Sequence, residues 1–433
     1  MLATQTSTET RQDLTDRLIH ARRQSDALFS IVRGESLYER PIPERHRIVF
    51  YIGHLEAFDW NLIADRVFGV KGVHPEHDRL FAFGIDPVNG GLPADVPSDW
   101  PHLDDVRDYV MRSRIGLDEK LSAGLLELDS AACDGFPLRT LLHVAIEHRL
   151  MHLETLAYML HQLPLDQKVP HADPPAPSTP LLAAGRMIPI PGGSVTLGLP
   201  RDAEAFGWDN EYAAQSVDVG AFEIDQYKVT NQQYLEFIQS GGYETRSFWN
   251  DDDWNWKALK GISHPIFWTR DGNDWCYRTM FDEVRLPLDW PVYVSHAEAQ
   301  AYANWAGKSL PTEAEWQRAA HATESTLDSK LGNFDFRRWN PIAVNAPQEQ
   351  SAFGVHGMVG NGWEWTSTHF NPFPGFEPFP FYRGYSADFF DGRHFVLKGG
   401  STRTAACMLR PSFRNWFQPH YQYVYAGFRC VTR

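Results

Sequence analysis

In the stretch EHRLMHLET, His148 and His152 stand four residues apart. On a helix that spacing puts both side chains on one face with Cβ atoms roughly 6 Å apart, so both imidazoles can reach one cation. A third candidate, His54 in FYIGHLEAFDWN, falls inside a second helical pattern, and the facing helices of a bundle commonly build metal sites from inward-pointing side chains. Three neutral imidazoles leave coordination positions open for water, oxygen or substrate, which suits a catalytic site better than a structural one. Ordinary packing competes with this reading, because the chain has 18 histidines and pairs four apart arise by chance. His143 and His161 read as structural. Glu154, on a different face from His152, reads as a supporting acceptor or a surface group. Ligand type alone does not choose the metal, since three imidazoles suit zinc, copper or iron.

Helices must hold these residues, and the apolar pattern supplies them. From Thr10 to about Leu163 apolar residues recur at helical spacing: Leu14, Leu18, Ala21, Leu28 and Ile31 share one face, and Val106, Val110, Ile115, Leu121 and Leu125 another. The pattern predicts four helices, over about 8–33, 44–69, 103–128 and 137–162, and hence a four-helix bundle over 8–163 that carries the three histidines. The loop GIDPVNGGLPADVPSDWP, rich in Gly, Pro and Asp, separates the second helix from the third. Residues 164–185 hold six prolines and read as a semi-rigid linker. Beyond it, over 186–433, the signals are short strands (MIPIPGGSVTLG, VDVGAFEIDQYKVT, FVLKGGS, YVYAGFRCVTR) and two helices (NQQYLEFIQS, SHAEAQAYANWAG), an α+β pattern after an all-α one. No internal repeat of 20 to 50 residues is visible.

Composition narrows the partners. The 433 residues carry 40 Lys plus Arg against 55 Asp plus Glu, a formal charge of -15 that repels phosphate backbones and anionic lipid, so small-molecule substrates are expected rather than nucleic acid or membrane. No run approaches the roughly 18 apolar residues of a membrane span, and the start lacks the layout of a signal peptide, so a cytoplasmic address is expected. Cys133, Cys276, Cys407 and Cys430 are too scattered for a disulfide scaffold or a metal knuckle and read as reduced thiols.

Six phrases of the C-terminal half occur together and in order: FGWDNEY (206–212), VTNQQYLEFI (229–238), SLPTEAEWQRAA (309–320), GMVGNGWEWT (357–366), LKGGS (397–401) and AGFRC (426–430). Together they resemble the formylglycine-generating-enzyme, or sulfatase-modifying-factor, domain, which implies a C-type-lectin-like fold. The N-terminal half resembles the DinB-like four-helix bundle, in which a lone histidine on helix 2 precedes an HxxxH pair. The two in this order resemble the ergothioneine sulfoxide synthases, which join sulfur to the imidazole of trimethylhistidine (hercynine) with non-haem iron and O2. That resemblance implies Fe(II) at His54, His148 and His152, with O2 as co-substrate.

It also implies roles for single residues. Tyr382 and Tyr385 in PFYRGYSADFF match a YxxY element that brings a phenol to the iron site, where it can deliver a proton and favour C–S bond formation over simple thiol oxidation. Tyr382 is the favoured donor of the two. Asn415 and Trp416 match an RNW element that binds the histidine-derived substrate, with aromatics lining its trimethylammonium group through cation–π contact. Packing is the competing reading at both places: an aromatic core for the tyrosine loop, and a buried turn with Asn415 as a cap.

The departures from the pattern concern the donor. Where mycobacterial-type synthases have an Asp directly after RNW and an Arg four residues later to hold γ-glutamylcysteine, this chain has Phe417 and Tyr421. The loop GIDPVNGGLPADVP lacks their Arg pair, and Met151 replaces a common Gln. The cysteine-using branch carries paired tyrosines after helix 2, where this chain reads RLFAFGIDP. The donor is thus left open between a thiol and, in a selenoneine-type synthase, a selenol. Two other classes compete: a DinB-type metal-dependent thiol transferase needing no O2, and a non-catalytic binding module. Formylglycine formation is disfavoured, because Cys407 and Cys430 lack the context of that enzyme's cysteine pair.

Overall fold

The computed structural model describes residues 9–84, 92–174, 185–320 and 332–433. Residue 8 of the expected first helix, most of the loop GIDPVNGG (85–91) and much of the expected linker (175–184) lie outside the described residues. The chain divides into two compact units, one running through His171 and one beginning at Ala172.

The first unit is helical. Helix α1 (Arg11–Ser30) starts at a capping box in which the Thr10 hydroxyl accepts from the Asp13 N–H and the Asp13 carboxylate accepts from the Thr10 N–H, so two orphan donors are satisfied. Its buried face carries Leu14, Leu18, Ala21 and Leu28. Helix α2 (Ile48–Asp59) continues into one π-helical segment, Trp60–Asp65. Helix α4 (Leu103–Ser122) and helix α5 (Leu138–His161) follow a shorter helix, α3 (Pro75–Phe83). Nearly every side chain of α5 is buried, as expected of a helix surrounded by others. It packs on α1, while α2 packs on α4 and α3.

Two expectations need correcting. The four-helix count omitted α3, whose signals are local: His74 caps it, Pro75 occupies the first turn where a missing N–H does no harm, and Glu76 and Asp78 sit at its positive end. The face proposed for the third helix is also too wide. Val106 and Leu121 are buried, but Ile115 is exposed, and Leu125 is exposed beyond the helix end at Ser122.

A small hairpin, β1 (Ala131–Cys133) with β2 (Phe136–Pro137), precedes α5. The second unit is mixed α/β. Its strands are β3 (Met187–Ile190), β4 (Gly193–Leu197), β5 (Gln215–Val219), β6 (Phe222–Asp225), β7 (Trp268–Asp271), β8 (Asp274–Arg278), β9 (Glu283–Arg285), β10 (Trp363–His369), β11 (Phe395–Lys398), β12 (Asn415–Phe417), β13 (Ala426–Gly427) and β14 (Val431–Thr432). Its helices are α6 (Asn231–Gln239), α7 (Asp251–Lys260), α8 (His296–Trp305) and α9 (Glu313–Ala319). The strands form sheets ordered β14-β6-β3, β4-β5, β7-β8-β9 and β12-β11-β10-β13. One core joins Ile188, Ile190, Phe222 and Ile224 to Trp316, Met358 and Val431.

Three of the six phrases, together with Lys228, meet around a buried carboxylate. Glu364 of β10 takes Lys228 at 2.8 Å, Arg429 at 2.9 Å and the Trp316 indole N–H at 3.1 Å, all from distant parts of the chain. A carboxylate buried this deeply is tolerable only when its charge is matched and its lone pairs are filled, and the two cations hold its pKa below the usual range despite the burial. Among the described residues no helix is long and apolar enough to cross a membrane.

Candidate metal centre and aromatic cluster

His54 lies on α2, and His148 and His152 lie one turn apart on α5. Their ring centroids are 5.4 Å (His54–His148), 5.0 Å (His54–His152) and 4.5 Å (His148–His152) apart, and one nitrogen from each falls within 4.8 Å of the others. The Nε2 atoms of His148 and His152 are 3.2 Å apart. That is close to the separation of two imidazole nitrogens each bonded at about 2.1 Å to one ion. His54 Nδ1 is 2.7 Å from the Phe81 carbonyl oxygen, a contact that requires Nδ1 to carry the proton and leaves the Nε2 lone pair for a metal. Burial pushes His54 down to about 4 and the other two well below the ordinary imidazole value, so all three are neutral at pH 7, the form a metal needs. The donor set therefore fits a divalent transition metal.

The glycine before His54 makes this possible. A Cβ on Gly53 would stand 2.3 Å from Cγ of Phe81, so only glycine lets α3 come close enough for the Phe81 carbonyl to reach the imidazole. Phe58 stacks on His148 at 3.4 Å, and the buried Tyr51 ring lies 5.6 Å from His152. Met151 is half-buried on α5 next to His152. Glu154 is buried, which removes its reading as a surface group. His143 and His161 are buried too; His143 Nε2 lies 3.7 Å from Glu9.

In the second unit the sequence-predicted residues come together around tryptophans. Tyr385 stacks on Trp208 at 4.0 Å and meets Trp416 edge-on at 5.4 Å, with Tyr382 5.6 Å from Tyr385. Trp416 stacks on Phe370 at 4.2 Å with planes 7° apart. Asn415, at the start of β12, turns its Oδ1 to accept from the backbone N–H of Trp416 at 2.9 Å. Arg414 anchors the element through a buried fork–fork pair with Glu313, at 2.9 and 3.1 Å. Phe417 stacks in parallel on Tyr421 at 5.0 Å, so these two positions hold a neutral aromatic pair.

Two features of these sites escaped the sequence reading. The first is Asp209, inside the phrase FGWDNEY. Its carboxylate accepts from Ser386 Oγ at 2.6 Å and from the Phe379 N–H at 3.4 Å, gripping both ends of the tyrosine loop. Burial raises Asp209 to about 6, and burial together with the nearby Asp209 charge raises Tyr382 to about 12, so the Tyr382 phenol keeps its proton at neutral pH. The second is the Phe81 carbonyl, near the end of the helix α3 that the four-helix count omitted. No disulfide joins any of the four cysteines.

Comparison with known proteins adds to this geometry. The profile of the sulfatase-modifying factor enzyme 1-like domain matches residues 174–433. The chain is 34% identical to the hercynine oxygenase of Mycolicibacterium smegmatis, over 97% of its own length and 99% of that protein. It is 29% identical to ergothioneine biosynthesis protein 1 of Schizosaccharomyces pombe, over 93% of this chain but only 53% of the longer fungal protein. The formylglycine-generating enzyme of Mycobacterium tuberculosis is 29% identical over 57% of this chain and 97% of its own.

Proposed function

The chain belongs to the ergothioneine sulfoxide synthase family, and from that premise we propose that it is a non-haem iron enzyme that uses O2 to form a bond between a chalcogen donor and the imidazole of hercynine. The observation that carries the metal half of this reading is the convergence of three neutral imidazoles from two helices, His148 buried and His54 and His152 half-buried. His54, His148 and His152 of the DinB-like bundle would hold Fe(II), which when bound supplies the activation of O2. His54 keeps its Nε2 lone pair available by donating Nδ1–H to Phe81.

The second unit is asked for binding and a proton. The faces of Trp416 and its aromatic neighbours suit a trimethylammonium cation, worth about 0.5–2 kcal/mol per cation–π contact, and Asn415 offers an amide for the substrate's polar end. Tyr382, with Tyr385 beside it, holds a proton on its phenol oxygen for transfer during bond formation. Asp209 keeps the loop in place. The stacked Phe417 and Tyr421 present no charge to a donor's carboxylates or amine, which favours a smaller or less charged donor over γ-glutamylcysteine. A selenol donor satisfies the same condition as a thiol.

The test is anaerobic loading with Fe(II), then O2 uptake with hercynine and a panel of thiols and selenols, with mass spectrometry of the product. O2 consumption that requires hercynine and yields a C–S or C–Se product is expected. Absence of O2 consumption with every donor would leave the thiol transferase or the binding module as the better reading. γ-Glutamylcysteine should be the poorer donor by about a hundredfold in kcat/KM, the scale of one lost charged contact pair. Its emergence as the preferred donor would overturn the donor assignment.

A further inference from the structure

Between His148 and His152 on α5 lies Arg149, wholly buried. Its Nη1 donates to Glu56 at 3.0 Å and to Ser25 Oγ at 3.2 Å, and its Nη2 donates to Asp59 at 2.7 Å and to the Leu55 carbonyl at 3.0 Å. Leu55, Glu56 and Asp59 are the residues that follow His54 on α2. Glu56 is shared. Arg114 of α4 binds it at 2.8 Å and Arg22 of α1 approaches within 3.8 Å, so arginines from three helices converge on one carboxylate of the fourth. Burial alone would raise Glu56, but the three guanidinium charges outweigh it and bring it down to about 2.

Stability is a poor explanation for such a cluster. Apolar residues of similar volume usually serve a helix bundle as well or better, because removing several charges from water offsets most of their mutual attraction. What an arginine fork provides, and leucine does not, is direction: two N–H vectors in one plane fix where the partner oxygens must be. Here both sides of the fork carry ligands, since Arg149 adjoins His148 and its partners adjoin His54.

We propose that Arg149 is a positioning residue for the three-histidine centre: by holding Leu55, Glu56 and Asp59 it fixes α5 against α2 at the height where His148 and His152 meet His54. The inference rests on the metal reading of these histidines given above. Outer-shell groups that orient metal ligands typically matter ten- to a hundredfold in affinity. Arg149 belongs with them because it acts through the helices, its hydrogen bonds going to Ser25, Leu55, Glu56 and Asp59.

The experiment uses the full-length protein stripped of metal and titrated with Co(II), whose visible ligand-field bands report both affinity and coordination. Arg149→Lys keeps the charge and loses the fork. The paired change Arg149→Met with Asp59→Leu removes both members of one ion pair and leaves no lone charge. Each variant that folds, judged by circular dichroism and thermal melting, should bind Co(II) ten- to a hundredfold more weakly and show shifted bands. A structural role alone would move the melting temperature and leave affinity and bands as in the wild type, which would overturn the proposal. Should neither fold, Glu56→Gln keeps the shape of the hub and gives up its charge. Unchanged Co(II) affinity in that variant would overturn the proposal equally, and weakened affinity with shifted bands would support it. Failure of the wild-type protein itself to bind Co(II) or Fe(II) would instead remove the metal reading on which the inference stands.

Discussion

At the scale of single residues, each histidine is asked to supply one nitrogen, and among the described residues no carboxylate joins the cluster to replace it. Replacing His152 by Ala should therefore remove most bound iron and activity, and metal analysis of the purified variant at wild-type occupancy would refute the assignment. The phenols make a separate demand. Because Tyr382 is pushed up to about 12, it keeps its proton at neutral pH, the form the proposed donor role requires. Tyr→Phe at position 382 keeps the ring packing and removes only the donor, so the variant should fold and consume O2 while C–S or C–Se product falls by about 10²–10⁴, the usual range for lost general-acid help. Product ratios unchanged in both Tyr382→Phe and Tyr385→Phe would mark this loop as core. The two histidines of α5 were legible in the sequence because their spacing matches a helical turn. Phe81 and Arg149 were not, since what matters about each is a partner far along the chain, 27 residues away for Phe81 and 90 to 124 for Arg149, that no local pattern announces.

At the scale of elements, the approach of α3 to α2 decides how firmly His54 is aimed. Gly53→Ala places a methyl group where the Phe81 ring already sits, so α3 must withdraw and take its carbonyl with it. Such overpacking typically destabilises by about 1–3 kcal/mol. The expected result is a lower melting temperature together with weaker metal retention against a chelator, and a variant matching the wild type in both would show that the close approach is incidental. The main helices could be read from periodicity because they bury a continuous stripe. The short α3 could not, since nine residues with one buried side chain, Phe81, give no stripe to count. Strands were readable where alternation was clear, as in β3 and β6, whereas the short meander β7, β8 and β9 was not among those expected.

At the scale of the whole molecule, the three imidazoles tie folding to acidity. Each of the three has a folded pKa below the ordinary value near 6.5, so below that pH the unfolded chain binds protons that the folded chain refuses. Their contribution is present above pH 6.5 and is lost as pH falls below it, the share of His54 by about 4. Melting temperatures of the metal-free protein should decline across this window, and more gently in His152→Ala, which has one such group fewer. Identical slopes would show that other groups govern the acid limb. The ion cluster behind the histidines has a different kind of consequence, one for descent. Losing Arg149 alone strands Asp59, and losing Asp59 alone leaves part of a guanidinium unmatched in a dry interior, so a single substitution at either place passes through a damaged protein. Lineages can leave this arrangement only by changing positions 59 and 149 together, and such paired exchange, more than invariance at either position, is the trace it should leave among related chains.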